Sequence, residues 1–488
     1  MNNSHEPESL SKRVVRGGRW ILGLQLISRS LGFIKTIILA RLLSPGDFGL
    51  LGIALLAVST LETFSQTGFQ AALIQKKENV EPYLDTAWTF SAIRGIVLFL
   101  ILFLLAPVVA KFFNSPQAVL VIKVIAVSTL FSGFRNIGIL FFQKELEFNK
   151  QFIYELSATL VELTVAITLA FMLRNVWALV WGWLAANFVR LFMSYILHPY
   201  WPHVRFDKGE FKELFGFGKW VLGSSILIFL ITQGDDIFLG KMLGVTALGF
   251  YQMAYLISNV PATEITHVIS QVTFPAYSKM QDNIPNMREA YLRVLQLTAF
   301  LAFPIAGLIF VLAPDFTKIF LGEKWMPMVT AMQVLCIFGI TRSIGATMGP
   351  ILYSAGRPKI QTKLSTIQLI VMAVIIYPLT IKWGILGSSL AVVIPNILTL
   401  ILIIKETKNI INFTYKHFFM SVVAPIIAVS IVFLVILLSH SLFPSMNDIL
   451  SFFMIVFLGS IIYLGIIYLW DKNTGNKIRH ELQGIFTN

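Results

Sequence analysis

Long apolar stretches recur along the whole chain and are separated by short polar segments. Most contain about 20 residues or more, which is the length that a helix needs to cross about 30 Å of hydrocarbon. The predicted spans are residues 18–41, 48–73, 86–109, 118–141, 152–173, 176–198, 215–240, 247–275, 291–313, 326–353, 361–381, 384–404, 418–439 and 449–470. The pattern therefore predicts an all-α polytopic membrane protein with about fourteen spans and both termini on one side.

Composition supports this interpretation. Of 488 residues, 56% are hydrophobic and 13% are charged, and the mean hydropathy is +0.76. A soluble domain could not keep so much apolar surface away from water. The single cysteine, Cys336, falls in a predicted span. It excludes an intrachain disulfide or a multi-cysteine metal site, and we interpret it as a small core residue.

The basic residues indicate the orientation of the chain. Of the Lys and Arg residues in loops and tails, 23 lie on the side of the termini and 7 on the other. This bias places both termini in the cytoplasm. Residues 1–17 lack a small-residue cleavage site and are interpreted as a cytoplasmic arm. The basic residues are spread over short loops without clustered aromatic residues, so a nucleic-acid partner is not expected.

The chain also repeats itself. The sequence GRWILG at 18–23 returns as GKWVLG at 218–223, and the offset of 200 continues as far as Gly49 and Gly249. Each repeat holds six spans, so the repeats are parallel, a class of internal symmetry in transporters that place the substrate at the repeat interface. The predicted divisions are an arm at 1–17, a lobe at 18–200, a linker at 201–214, a lobe at 215–405, two further helices at 406–470 and a tail at 471–488.

Charged residues lie inside the apolar spans of the first lobe. Arg29 and Lys35 share one helical stripe in the first span, and Glu62 lies on a polar face of the second. Such residues normally face an interior or a water-filled cavity, because a charge at the bilayer centre costs a few kcal/mol. We therefore predict an aqueous cavity lined by these faces.

Further cations in this half are Arg94, Arg135 and Arg190. Convergent Arg and Lys groups suit a pyrophosphate, because they form charge-assisted and partly bidentate hydrogen bonds. Other interpretations stay open. Arg94 and Arg135 could reach the headgroups from helix ends, and Arg190 could form a structural pair with Glu162.

The second half differs in sign, with Arg342 as its central cation and Asp235, Asp236, Glu264 and His267 as its other titratable groups. Acids and a histidine in a membrane cavity suggest coupling to H⁺ or Na⁺. Ion pairs within the bundle are the alternative.

A gate can also be predicted from the repeat. The offset of 200 matches Lys35 with Asp235, so the two halves carry opposite charges at equivalent depth. An ion pair of Lys35 with Asp235 or Asp236 could close a cavity, and an arriving anion would compete for Lys35.

Several stretches resemble the multidrug/oligosaccharidyl-lipid/polysaccharide (MOP) exporter superfamily, polysaccharide branch. They are SRSLGFIKTIILARLLSPGDFGLLGIA from Ser28, GFQAALIQ from Gly68, GDDIFLGKMLGVTALGFYQMAY from Gly234 and ILYSAGRPK ending at Lys359. FRNIGILFFQKELEFNKQF from Phe134 resembles the Wzx-type flippases for exopolysaccharide or teichuronic-type repeat units. The resemblance covers roughly residues 10–410.

The resemblance implies a two-lobed transporter in the bacterial cytoplasmic membrane. It would turn an undecaprenyl-pyrophosphate-linked glycan from the cytoplasmic to the outer leaflet, beside a polysaccharide polymerase and other biosynthesis proteins. No catalytic or nucleotide-binding motif occurs, so neither an enzyme nor a bound cofactor is expected. The apolar pair at 418–470 could hold the prenyl chain or could simply pack against lipid.

Two alternatives remain from the sequence. One is a cation-coupled drug exporter of the same fold, which would favour an acidic or apolar cavity. The other is a membrane-embedded polysaccharide ligase or polymerase. Such an enzyme would need a large outward loop, and the predicted outer loops, such as 110–117 and 314–325, contain about a dozen residues or fewer.

Overall fold

The computed structural model describes residues 10–76, 79–442 and 449–474, with side chains described there except at 10–22, 25–26, 217–221, 264–272, 437, 439–442 and 471–474. The described residues form helices joined by turns, and they contain no β-strand. They divide into two compact units, with the boundary between Gly249 and Phe250.

The described residues of the first unit form nine helices. They are α1 (Leu10–Leu42), α2 (Pro45–Phe64), α3 (Phe69–Gln75), α4 (Glu81–Phe112), α5 (Ala118–Gly133), α6 (Leu140–Lys144), α7 (Phe148–Leu173), α8 (Trp177–Leu197) and α9 (Lys208–Leu243). A 3₁₀ turn at Ile137–Ile139 precedes α6.

The next helix crosses the boundary and the remainder lie in the second unit. They are α10 (Val245–Ser258), α11 (Val260–Lys279), α12 (Ile284–Phe316), α13 (Val329–Ala346), α14 (Gly349–Ser354), α15 (Pro358–Ile411), α16 (Tyr415–Leu442) and α17 (Ile449–Thr474). A π turn at Thr317–Leu321 and a 3₁₀ turn at Glu323–Met328 connect α12 to α13.

The all-helical membrane fold is confirmed, whereas the number of spans stays a prediction. Among the described residues, ten helical segments are long and apolar enough to cross a membrane, or eleven if the bent pair α5 and Ile137–Lys144 counts as one span. α15 has 54 residues and a non-helical Gly384 at φ 57°. The Thr380 and Ser388 hydroxyls lie 2.8 Å apart, although eight residues of continuous helix would separate them by about 12 Å, so the chain turns at Gly384. The two parts of α15 contain the predicted spans at 361–381 and 384–404.

Two predicted spans are shorter than the apolar pattern indicated. The span at 48–73 is interrupted after Phe64, and Gly68 adopts a left-handed φ of 66° before α3 begins. The span at 118–141 bends by 73° after Gly133. There, the Asn136 side chain accepts the N–H of Gly138 at 2.8 Å and starts a new turn. Hydropathy alone could not detect these breaks because both sides of each are apolar.

Equivalent glycines of the sequence repeat make equivalent contacts. A Cβ on Gly49 would lie 1.9 Å from the carbonyl oxygen of Val245, and one on Gly249 would lie 2.0 Å from that of Pro45. Pro45 and Val245 are themselves 200 residues apart. The starts of α2 and α10 therefore cross with their backbones in direct contact, and only glycine fits at either position.

The segment between α8 and α9 docks against the first turns of α4. The N–H groups of alternate residues His203, Arg205 and Asp207 all donate to α4 side chains. The acceptors, in that order, are Asp85 Oδ1 at 2.9 Å, Thr89 Oγ1 at 3.1 Å and Thr86 Oγ1 at 3.1 Å. Asp207 then caps α9 by accepting from the N–H groups of Gly209 and Glu210. The predicted linker at 201–214 is thus fixed to the first unit.

The first compact unit extends beyond the predicted lobe at 18–200. It includes α9, which packs on α2, α3 and α4. The division into two six-span lobes and a final pair rests on the sequence repeat and stays a prediction.

In the second unit, α12 is the central helix. It packs against α11, α13, α16 and α17, and Tyr291 on α12 is fully buried beside Phe413. The hydroxyl of Tyr463 on α17 donates to the carbonyl of Phe300 at 2.9 Å. The last two helices therefore share one apolar core with α12.

Candidate functional site

A close helix crossing brings two arginine-bearing segments together in the first unit. Gly95 on α4 and Gly133 at the end of α5 face each other, and a Cβ on either would lie 2.8 Å from the other's Cα. Arg94 directly precedes the first glycine, and Arg135 follows the second by two residues. Because the backbones touch, both arginines lie at the place where α5 bends.

Arg94 is bonded to the C-terminal end of α2. Its Nε donates to Ser65 Oγ at 3.0 Å and its Nη2 to the carbonyl oxygen of Glu62 at 2.8 Å. A cation at this end complements the helix dipole and the unpaired terminal carbonyls. Protein groups, rather than lipid headgroups, thus accept two of the donors of Arg94 in this conformation.

Arg135 is held by α8. Its Nη2 donates to Asn187 Oδ1 at 2.7 Å. The break around it is also supported by α8, since the Tyr195 hydroxyl donates to the Phe134 carbonyl at 2.8 Å and the N–H of Asn136 donates to Ser194 Oγ at 3.0 Å. The polar face of α8 therefore satisfies the backbone groups that the bend leaves open.

The carboxylate of Glu62 lies within electrostatic range of both Arg94 and Arg135. The hydrogen bonds of the two arginines run to a hydroxyl, a backbone carbonyl and an amide. Among the described residues, neither guanidinium forms an ion pair, and both act on the carboxylate of Glu62.

Two further interior cations, Lys35 and Arg190, form ion pairs with α7. Lys35 pairs with Glu162, and Arg190 Nε lies 3.3 Å from Glu155 Oε2. The suggested pair of Arg190 with Glu162 is therefore wrong, because α1 packs on α7 and Lys35 takes Glu162 instead. In this conformation the Lys35 gate would have to exchange Glu162 for Asp235 or Asp236.

Arg29 lies about two helical turns before Lys35 on α1 and is exposed. On α9, Asp235 is buried at 2% exposure and Asp236 is half-buried. Glu264 and His267 lie on α11, and their side chains fall outside the described residues. The coupling roles of these acids and of the histidine stay predictions.

In the second unit, Arg342 lies on α13. Its Nη1 donates to the hydroxyl of Tyr255 on α10 at 3.2 Å, and its guanidinium carbon lies 5.8 Å from the centroid of the Phe338 ring. Two aromatic side chains of the second unit therefore contact this guanidinium.

Sequence reasoning missed two partners, Glu155 and Tyr255. Glu155 precedes Glu162 by seven residues, or two helical turns, and both acids therefore share one face of α7. That spacing could have identified it. No comparable periodic signal marked Tyr255, whose role depends on the packing of α10 against α13.

An apolar cavity lies between α12, α16 and α17. Its lining includes Gly307, Val429, Gly459 and Tyr463. The Val429 side chain occupies the space beside Gly307, since a Cβ there would lie 2.4 Å from Val429 Cγ1. The helices outside the repeat thus enclose a small apolar recess with α12.

No group of three or more His, Cys, Asp or Glu side chains that could hold a metal ion occurs among the described residues.

Comparison with known proteins agrees with this architecture. The lipopolysaccharide biosynthesis protein WzxC of Escherichia coli is 28% identical over 422 residues, which are 86% of this chain and 85% of that protein. The inward closed structure of the lipid II flippase MurJ has a TM-score of 0.69 at 14% identity and covers 92% of this chain and 98% of its own.

An inward-facing multidrug resistance MATE family transporter of the MOP superfamily has a TM-score of 0.61 at 17% identity, covering 79% of this chain and 94% of its own. The expected resemblance to this superfamily is thereby confirmed. The profile of the family described as polysaccharide biosynthesis protein matches residues 38–330. This match extends over more than half of the chain, which therefore belongs to the polysaccharide biosynthesis protein family.

Proposed function

We propose that this chain is a flippase that moves an undecaprenyl-pyrophosphate-linked oligosaccharide from the cytoplasmic to the outer leaflet for surface polysaccharide biosynthesis. Family membership, the relative named for lipopolysaccharide biosynthesis and the fold shared with a lipid II flippase support this proposal. The chain would act by alternating access in the bacterial cytoplasmic membrane, with both termini in the cytoplasm.

The observation that carries the proposal is the arrangement of Arg94 and Arg135. Both guanidinium groups are held in place by neutral protein groups, and both lie within electrostatic range of the Glu62 carboxylate. Planar guanidinium groups bind pyrophosphate oxygens in pairs, and two of them could replace part of the hydration of this anion. Glu62 would be the resident counter-ion that the substrate replaces.

The remaining charges have supporting roles in this proposal. Arg29, exposed on α1, and Arg342 add positive potential on the path of the substrate. The pairs Lys35 with Glu162 and Arg190 with Glu155 hold α1 and α8 on α7. Coupling to H⁺ or Na⁺ would use Glu62, Asp235, Asp236, Glu264 and His267, and a polymerase would receive the exported glycan.

The prenyl chain of the proposed lipid would lie along the exposed apolar side chains of α16 and α17, such as Phe419, Leu434, Leu450 and Phe457. A hydrocarbon chain needs an apolar surface of this kind while its headgroup crosses the membrane.

The test uses the full chain in proteoliposomes that contain a fluorescent undecaprenyl pyrophosphate bearing a disaccharide. Translocation is measured as the fraction of dye that becomes accessible to a membrane-impermeant quencher. We expect Arg94→Ala and Arg135→Ala each to slow translocation about tenfold or more, since a charge-assisted hydrogen bond contributes about 1.5–3 kcal/mol. Arg29→Ala should also abolish most activity, and Arg29→Lys should retain part of it.

The matched control is Lys382→Ala, which removes an exposed cation beside Trp383 in the second unit. It should translocate like wild type. Normal rates for both Arg94→Ala and Arg135→Ala would overturn the cationic site. If the wild-type protein exported cationic drugs and did not move the lipid, the result would favour a drug exporter.

A further inference from the structure

The second unit contains an aromatic and polar cluster around Arg342. It consists of Tyr255 on α10, Phe338, Thr341 and Arg342 on α13, and Asn396 on α15, and we name it the Tyr255 cluster. The Tyr255 and Phe338 rings lie 5.9 Å apart at an interplanar angle of 42°. The guanidinium of Arg342 contacts both aromatic residues.

Helix packing sets this geometry. Phe338, Thr341 and Arg342 have the spacing i, i+3 and i+4, which places them on one face of α13. Gly339 allows α13 to approach α10, because a Cβ there would lie 2.6 Å from the carbonyl oxygen of Ser258. The Thr341 hydroxyl is hydrogen-bonded to the Asn396 amide oxygen, which links the second part of α15 to the same face.

The cluster has a buried apolar base and an accessible polar edge. Phe338 is 6% exposed, whereas Tyr255, Thr341, Arg342 and Asn396 are half-buried. A half-exposed arginine and amide within membrane spans would be costly against lipid, so such groups face a protein-lined cavity. The cluster is therefore a surface on which a polar ligand could lie.

Its composition differs from that of the polar interior of the first unit. The interior there holds guanidinium groups, an amine and carboxylates, whereas the Tyr255 cluster combines two aromatic rings with one cation, one amide and one hydroxyl. Aromatic rings supply an apolar face, and Arg and Asn supply several planar donors and an acceptor. An apolar wall with a few directed polar groups is the usual form of a small-ligand site.

A pyranose ring presents the complementary surface. Its axial C–H bonds form an apolar face that can lie on an aromatic ring, and its edge carries hydroxyl groups that both donate and accept. We propose that the Tyr255 cluster is a saccharide subsite, in which a sugar ring of the lipid-linked glycan stacks on Tyr255 while Arg342 and Asn396 bind its hydroxyl groups. This assignment rests on the proposed flippase function and names the part of the chain that recognises the sugar.

The planar donors fit this role. Arg342 carries five N–H groups, and its partners among the described side chains are Tyr255 and Phe338. A sugar hydroxyl or the carboxylate of an acidic sugar could accept from the same guanidinium without separating it from Tyr255. When a bare lipid binds, the polar groups of the subsite have no sugar hydroxyl to pair with, which costs binding free energy. Such a site is therefore selective for the glycosylated lipid over the bare lipid.

The experiment measures binding of two lipids to the purified full chain by native mass spectrometry. The probes are undecaprenyl-pyrophosphoryl glucose and undecaprenyl pyrophosphate without a sugar. We expect wild type to prefer the glycosylated lipid by about tenfold, which is the effect of one or two net hydrogen bonds. Tyr255→Ala and Asn396→Ala should each reduce this preference and leave the affinity for the bare lipid unchanged.

Tyr255→Phe keeps the stacking ring and should retain part of the preference. Arg94→Ala should weaken both lipids by a similar factor, because it acts on the pyrophosphate that they share. If wild type binds both lipids equally, or if Tyr255→Ala and Asn396→Ala weaken both equally, the saccharide subsite is wrong and the flippase proposal stands. If wild type binds neither lipid, both proposals fail. A thermal unfolding midpoint for each variant identifies loss of folding, and Asn396→Ala provides the test should Tyr255→Ala not fold.

Discussion

Individual charged residues in this protein have distinct neighbours even where they occur in similar apolar sequence. Lys35 and Arg190 each contact a carboxylate of α7, whereas Arg94 and Arg135 hydrogen-bond to neutral groups. An ion pair screens its own charge, so a paired cation attracts a substrate anion less strongly than one held by a hydroxyl or an amide. The two arginines near Glu62 are therefore the stronger candidates for anion binding.

A residue outside the membrane gives a pH-dependent prediction. The N–H groups of Glu210 and Gly209 donate to Asp207 at the start of α9 and hold the pKa of this carboxyl below its ordinary value of 3.8. Because the folded state favours the ionised form, its stabilising contribution is present above pH 3.8 and is lost as the pH falls through the lowered pKa. Asp207→Asn keeps an N-cap acceptor but removes the charge.

We expect wild type to have a higher unfolding midpoint than Asp207→Asn at pH 7 and the difference to decrease as the pH falls below about 3.8. Thermal unfolding in detergent between pH 3 and 7 measures it. Asp207→Ala, which removes the cap altogether, should be less stable than Asp207→Asn at every pH. A difference between wild type and Asp207→Asn that does not change with pH would contradict the assignment.

At the scale of helices, close contacts occur where small residues allow backbones to touch. The α4 and α5 crossing at Gly95 and Gly133 places Arg94 and Arg135, and the approach of α13 at Gly339 places the Tyr255 cluster. Apolar helices gain little from the hydrophobic effect when they associate in lipid, so direct backbone packing is an important source of contact energy. Glycines in this protein thereby determine where the polar side chains meet.

The crossing of α2 and α10 gives a prediction about packing. Gly49→Ala and Gly249→Ala would each place a methyl group about 2 Å from a carbonyl oxygen, so the helices must separate. We expect a loss of about 1–3 kcal/mol, as is typical when extra atoms are forced into a packed contact, and a lower thermal unfolding midpoint.

Gly216→Ala on α9 is the matched control, since a Cβ there has no heavy atom within 4 Å. Alanine in an open helical position should be neutral or stabilising by up to about 1 kcal/mol. If all three variants unfold at the same temperature, the α2 and α10 backbones are not in obligatory contact.

At the scale of the whole molecule, the proposed gate requires that Lys35 exchange its carboxylate partner. Lys35 pairs with Glu162 here, and the sequence repeat matches Lys35 with Asp235. If Lys35 paired with a different carboxylate in each of two conformations, the ion pair would close the cavity in one conformation and leave it open in the other. Substrate can shift this equilibrium only if it binds the two conformations with different affinity. Such a pair need not be strong, because desolvation offsets much of the Coulomb attraction.

Charge exchange tests this gate. We expect Lys35→Asp and Asp235→Lys each to impair translocation in proteoliposomes, and the double variant to recover part of it. Asp236→Lys is tested in parallel because the register could shift by one residue. Recovery by Lys35→Asp with Glu162→Lys, without recovery by either aspartate exchange, would show that Lys35 serves only the α1 and α7 contact.

The class of the protein follows from its sequence alone, and so does the identity of the charged residues within its apolar spans. Runs of apolar residues long enough to span a bilayer leave few soluble alternatives, and the cations inside them are identifiable by position. The repeat was also detectable in the sequence, and its equivalent residues Gly49 and Gly249 make matching contacts in the structure. These features depend on local sequence or on comparison of the chain with itself.

The partners of the charged residues and the positions of the helix breaks could be identified only from the three-dimensional structure. Lys35 and Glu162 are 127 residues apart, and Arg190 contacts Glu155 rather than Glu162, because the helix rotations that set these contacts depend on packing along the whole of α7. The breaks after Phe64 and Gly133 occur within apolar sequence and are supported by side chains from other helices. Partners distant in sequence supply the hydrogen bonds and leave no local signal.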